Sequence, residues 1–203
     1  MPNKLIERLR GSLSTLLYFI NTLFWFVPVL LLGLIKLLLP FKGARRLCNT
    51  LLDGCATHWI GFNNLIQKTI INTPFDVVGV DKGRRNEWYM VIANHQSWVD
   101  ILVLQRIFNQ KIPFLKFFLK KELIWVPFLG LAWWALDFPF MRRYSRKFLE
   151  KQPHLRGKDI ETTRKACARF RHMPVSVMNF VEGTRFTVGK HDRQGAPYRH
   201  LLH

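Results

Sequence analysis

Between Gly11 and Ile35 the chain runs for 25 residues without a charged side chain, GSLSTLLYFINTLFWFVPVLLLGLI. As a helix this stretch extends about 37 Å, more than the roughly 30 Å hydrocarbon layer of a bilayer. A run of that length predicts a membrane-embedded helix over the buried helix of a soluble core. It is also too long for a secretory signal, and no small-residue cleavage site follows it. Lys4, Arg8 and Arg10 precede it, and Lys36, Lys42, Arg45 and Arg46 follow, so charge bias selects no orientation. A spanning helix fits, and so does a hairpin or kinked helix in one leaflet, bent near Pro28. Residues 1–45 are therefore read as an anchoring segment and residues 46–203 as one α/β domain.

Composition narrows the class of partner. The formal net charge is +18, yet 49% of residues are hydrophobic and the chain holds seven Trp and seventeen Phe. Disordered basic tails lack that apolar share, and a basic, aromatic-rich, apolar chain points to an anionic membrane surface. The basic residues are spread along the whole chain with no RNP-like or zinc-finger signature, so no nucleic-acid partner is expected. Cys48, Cys55 and Cys167 are odd in number and show no metal-ligand spacing, which suits a reducing compartment.

Beyond the anchor, residues 46–68 read as a helix of mixed character. FDVVGV, from Phe75 to Val80, reads as a strand, and DKGRRNE turns the chain into a second strand from Trp88 to Ala93, giving a hairpin. Ile101 to Phe108 continues as a helix. Leu123 to Leu136 is uncharged for 14 residues, too short to span a bilayer and better read as core or interface; Trp125, Trp133 and Trp134 lie within it. A strand is expected from Asp137 to Met141, an amphipathic helix from Lys158 to His172, and a strand from Val175 to Val181. The fold class is α/β, a central mixed sheet flanked by helices, with the N-terminal membrane-embedded helix or hairpin.

Chemistry is concentrated at strand ends. VIANHQSWVD places His95 just past a strand and Asp100 five residues later. Five residues on a regular helix turn about 500°, leaving the side chains about 140° apart, so the two meet only if His95 is on the loop and Asp100 in the first helical turn. S-x-x-D at Ser97 and Asp100 favours that arrangement, with Ser97 as N-cap. A histidine held by a carboxylate keeps one ring nitrogen as donor and leaves the other to accept a proton. The plainer alternative is that Asp100 is half of a capping box and His95 a polar loop residue. The same spacing recurs at His154 and Asp159, with no strand before it. Arg142 and Arg143 end a second strand, as phosphate ligands or as a solvated basic patch. Glu182, Gly183, Thr184 and Arg185 end a third, where Gly183 allows close backbone approach and Arg185 offers a planar fork suited to phosphate. Loops at such strand ends converge in α/β sheets.

NHQSWVD, FPFMRR and FVEGTRFT, in this order, resemble the lysophosphatidate acyltransferase (PlsC-like glycerolipid acyltransferase) family. H-x-x-x-x-D matches at His95 and Asp100. An apolar strand ending in Arg matches best at Arg143, with Arg142 one residue off, and E-G-T-R matches in full from Glu182 to Arg185. A chosen tetrapeptide arises by chance about once in 160,000 positions, so E-G-T-R carries the greater weight. The resemblance covers the chain from about Phe75 to Thr187.

The resemblance implies transfer of a fatty acyl group from acyl-CoA or acyl-carrier protein to a lysophospholipid hydroxyl. It makes His95 and Asp100 the catalytic pair, and Arg143, Glu182, Gly183, Thr184 and Arg185 the substrate-binding set, with no metal and no cofactor beyond the acyl donor. The enzyme would sit in the membrane with its site on the cytoplasmic side. A catalytically silent, membrane-anchored lipid-binding fragment is the alternative. In the family, E-G-T-R is followed by more sheet and a proline-containing fourth block, whereas here 18 residues follow Arg185. A truncated chain of low stability and little activity is therefore expected.

Overall fold

One helix carries the whole apolar run. In the computed structural model, which describes residues 4–39, 41–72, 74–141, 146–155, 157–183 and 185–191, α1 (Lys4–Leu38) continues through Pro28 as one helix. α2 (Lys42–Ile66) doubles back along α1 and passes into a π-helical turn, Gln67–Ile71. The pairing is antiparallel. Asn21 Nδ2 donates to Trp59 O at 3.0 Å and Asn63 Oδ1 at 2.9 Å, and the ring of Trp25, one turn on, stacks on His58. A proline removes one helical hydrogen bond, and the helix survives it here because tertiary contacts hold both sides of the site. Among the described residues α1 alone is long and apolar enough, by length and composition, to cross a membrane.

The strands that follow are short and parallel. In chain order the elements are β1 (Tyr89–Ala93), α3 (Val99–Phe108), β2 (Leu115–Phe117), β3 (Leu119–Lys120), α4 (Leu129–Ala135), β4 (Phe140–Met141), α5 (Arg146–Lys151), α6 (Lys158–Arg169), β5 (Ser176–Phe180) and α7 (Val188–His191). β5 lies between β1 and β2, and β3 pairs with β4. Every pairing is parallel, so the sheet expected to be mixed is parallel throughout the described strands. The expected hairpin is also absent. Residues 75–78 form no strand, Gly79 takes φ 83°, and Val80–Lys82 is a 3-10 turn. Strand-forming residues need a pairing partner, and FDVVGV finds none; Phe75 lies instead under the Arg106 guanidinium, 4.1 Å from its ring centre.

Parallel register sorts the strand residues onto two faces. Tyr89, Val91 and Ala93 align with Ser176, Met178 and Phe180, and Leu115 and Phe117 with Ser176 and Met178. That face meets Val29 of α1, Leu52 and Ala56 of α2, and Ala132, Ala135 and Leu136 around α4 in one core. The opposite face carries Met90 and Ile92, which are 67% and 59% exposed. Trp88 to Ala93 is thus buried on one side only.

α4 fastens α1 to the sheet. The helix ends with Phe138 N donating to Trp133 O at 2.9 Å and Asp137 N to Trp134 O at 3.1 Å, a Schellman pair with Asp137 at the left-handed position, φ 58°. Glycine usually fills that position. Here the Asp137 carboxylate is held by Lys36 of α1, whose Nζ reaches Asp137 Oδ2 and Ala135 O, each at 2.8 Å. The left-handed residue also explains why the strand expected from Asp137 is confined to Phe140–Met141. One turn earlier, a Cβ placed on Gly33 would lie 2.6 Å from Ala135 Cβ and 3.3 Å from Ala135 Cα, so glycine sets the α1–α4 separation. Gly33→Val is expected to lower stability by about 1–3 kcal/mol, the usual cost of overpacking. Gly11→Val, where the added carbon meets nothing within 4 Å, is the control. Thermal unfolding in detergent checks both, and equal midpoints would contradict the close approach.

Candidate active site

β1 and β5 end side by side, with Ala93 in register with Phe180, so the loops bearing His95 and Glu182 leave adjacent strand ends. His95 is on the loop and α3 begins at Val99, one residue later than a Ser97 cap implies. The cap contacts form all the same. Ser97 Oγ accepts from Val99 N at 3.2 Å, and the Asp100 carboxylate reaches back to Ser97 N at 2.8 Å. The capping geometry is what turns Asp100 toward the loop. Its Oδ2 then accepts from three donors: Ser97 N, Gln96 N at 2.7 Å, and His95 Nδ1 at 3.0 Å. The capping role and the histidine contact, posed as alternatives by the sequence, are made by one oxygen atom.

Three donors on one carboxylate oxygen fix its charge state. Burial, the largest single influence, pushes the Asp100 carboxyl up; the Ser97 N–H, the His95 ring and the Gln96 N–H together outweigh it and hold the carboxyl below the usual carboxylate range. A carboxylate accepts, so neutral His95 carries its proton on Nδ1 and presents Nε2 as the proton acceptor. The ring is also clamped in orientation. It stacks on Phe180 with centroids 3.9 Å apart and planes 18° apart, and the His95 side chain is 12% exposed. Phe180 in turn stacks on Phe117 of β2, so the imidazole rests on the sheet core.

The E-G-T-R turn is tied to the same loop. Phe186 N donates to His95 O at 2.7 Å, and Gly183, at φ 66°, donates its N–H to Phe180 O at 2.9 Å. Glu182 and Arg185 are exposed on this turn, with the Arg185 guanidinium 4.8 Å from the centre of the Trp98 ring. The geometry therefore brings His95, Asp100, Gly183 and Arg185 into one neighbourhood. Arg143, its neighbour Arg142, and Thr184 lie outside the described residues. His154 is exposed in a 3-10 turn, Pro153–Leu155. Phe180 and Trp98, which the sequence reading passed over, are the aromatic supports of His95 and Arg185. Their signal was position alone, two residues before Glu182 and three after His95.

A cavity of about 740 Å³ opens on the other face of the sheet, lined by Trp88, Met90, Phe118, Met141, Phe170 and Val177 among others. Neither His95, Asp100, Glu182 nor Arg185 lines it.

A carboxylate-held histidine thus stands at the carboxyl edge of the parallel sheet, and the Phe186 N–H ties its loop to the turn that carries E-G-T-R. The chain belongs to the Acyltransferase family, which it matches over residues 74–197. It is similar to a 1-acyl-sn-glycerol-3-phosphate acyltransferase of Saccharomyces cerevisiae, 30% identical over 150 residues that cover 74% of this chain and 43% of that protein. It is similar also to an uncharacterized acyltransferase of Schizosaccharomyces pombe, 32% identical over 120 residues, 59% of this chain and 38% of that protein. The chain thus spans 38–43% of the length of these curated relatives. No solved structure matches it.

Proposed function

We propose that this chain transfers a fatty acyl group from the thioester of acyl-CoA or acyl-carrier protein to the hydroxyl of a lysophospholipid of the lysophosphatidate type. The observation that carries the reading is the His95 Nδ1–Asp100 Oδ2 contact at 3.0 Å beside a backbone bond to the E-G-T-R turn. An alcohol is a poor nucleophile until a base removes its proton. His95 Nε2 takes that proton as the hydroxyl oxygen attacks the thioester carbonyl, and Asp100 stabilises the imidazolium that forms. Collapse of the tetrahedral intermediate breaks the C–S bond, and the departing sulfur takes the proton back from Nε2. The acceptor supplies the hydroxyl, so no protein nucleophile is involved; Ser97, occupied as a cap, has no covalent role.

In this reading Arg185 and Arg143 bind the acceptor phosphate, and Glu182, Gly183 and Thr184 shape its site. Trp98 under the Arg185 guanidinium would hold the fork in place. α1 anchors the chain in the membrane that holds the acceptor, and the site faces the cytoplasm, where the acyl donors are made. The anchoring segment and the catalytic domain divide near residue 45, a point that falls within the first turns of α2.

Arg185→Ala is expected to raise KM for lysophosphatidate about tenfold to a hundredfold, the worth of a charge-assisted hydrogen bond to phosphate, with a smaller change in kcat. Initial rates against acceptor concentration at saturating acyl-CoA measure it. An unchanged KM would remove Arg185 from the phosphate site.

A further inference from the structure

We propose that the 3-10 turn Lys121–Trp125 together with α4 forms a second lipid-docking surface, seated in the headgroup layer of an anionic bilayer. The proposal rests on the reading of α1 as the membrane anchor and adds a contact made by the catalytic domain itself. α4 is apolar on both sides. Ala132 and Ala135 face the core, while Phe128, Leu131 and Trp134, spaced three residues apart, are 41%, 46% and 37% exposed. Trp125, a further three residues back, is 85% exposed. A helix that is hydrophobic all round belongs in a large core or against lipid, and this one lies at the surface.

Two features select lipid over a protein partner. The first is continuity with the anchor. Phe128 packs edge-on against Phe26 of α1, with centroids 5.3 Å apart. The Trp134 ring lies against Gly33, 3.6 Å from where a Cβ would stand. The patch therefore adjoins α1, whose exposed apolar side chains include Val27, Leu31 and Leu34. The second is the pairing of charge and aromaticity. Lys120 and Lys121 are exposed at the start of the same turn, four to five residues from an indole, the combination that sits at a headgroup boundary. β3, which ends at Lys120, pairs with β4, so the docked turn would set the level of the strand that leads into Arg142 and Arg143.

The test uses the full chain reconstituted into phosphatidylcholine/phosphatidylglycerol vesicles whose acyl chains carry bromine at shallow or deep positions. Emission of the wild type minus that of Trp125→Phe isolates Trp125. Loss of most of that difference signal with shallow bromines, and less with deep ones, is the expected result. In phosphatidylcholine alone the quenching should weaken, because Lys120 and Lys121 lose their anionic partners. If both proteins float with the vesicles and the Trp125 signal is untouched by bromine at either depth, the docking surface is overturned while the anchor stands. If neither protein floats, the anchor reading fails and the proposal with it. Equal quenching with and without phosphatidylglycerol would overturn the anionic preference.

Discussion

Replacing His95 with alanine is expected to lower acyl transfer to a lysophospholipid by about a hundredfold to ten-thousandfold, the usual contribution of a positioned general base. His95→Ala also removes the ring that stacks on Phe180, worth on the order of 1 kcal/mol, so thermal unfolding is measured alongside. His95→Gln, which fills part of the space without the proton chemistry, separates the two effects: activity stays lost while most of the stability returns. His154→Ala, altering an exposed turn residue of the second H-x-x-x-x-D pair, should leave turnover near that of the wild type. Near-wild-type turnover in both His95 variants would exclude His95 as the base.

Asp100→Asn carries the second large effect, a fall on the order of a hundredfold. An amide oxygen can still accept the Gln96 and Ser97 N–H groups, so the loop is retained. The amide is neutral and cannot balance the charge of the imidazolium that forms on His95. The same substitution has an acid signature. The folded-state Asp100 pKa is depressed, so its stabilising contribution is full above the ordinary carboxylate value of about 4. It is lost as pH falls through the lower folded value. The stability gap between wild type and Asp100→Asn should therefore be flat near neutral pH and narrow below about pH 4. Denaturant melts across that range measure it, and a gap that widened in acid would contradict the bond network around Oδ2.

Much of this site is legible in sequence because local rules and chemistry coincide there. S-x-x-D, read as a cap, already placed Asp100 in the first turn of a helix and His95 outside it, and the 3.0 Å contact follows from that geometry. Val175 to Val181 and Lys158 to His172 were readable for the same reason: each pattern fits one element, and tertiary contacts agree with it, as β5 and α6 show. The failures arise where tertiary contacts decide. FDVVGV has strand composition without a strand partner. Pro28 left a hairpin or kinked segment open beside a single spanning helix, and α1 runs through it as one helix that packs against α2 and Phe128. Asp137 looked like the first residue of a strand, but its left-handed conformation and its bond to Lys36, 101 residues away in sequence, make it a helix terminator. The direction of strand pairing was misread because it depended on the hairpin that FDVVGV does not form. The stacking of Phe180 on His95 was invisible because it requires β5 to lie beside β1, a register the sequence alone does not encode.

The most direct measurement follows both products in one reaction. The chain in detergent or vesicles receives acyl-CoA and lysophosphatidate, and free CoA thiol and newly formed acyl ester on the lipid are quantified together. Acyl transfer with His95 as base predicts that thiol and ester appear in equal amounts and that both disappear in His95→Ala. Thiol release without ester, or equal yields that persist in His95→Ala, would contradict it.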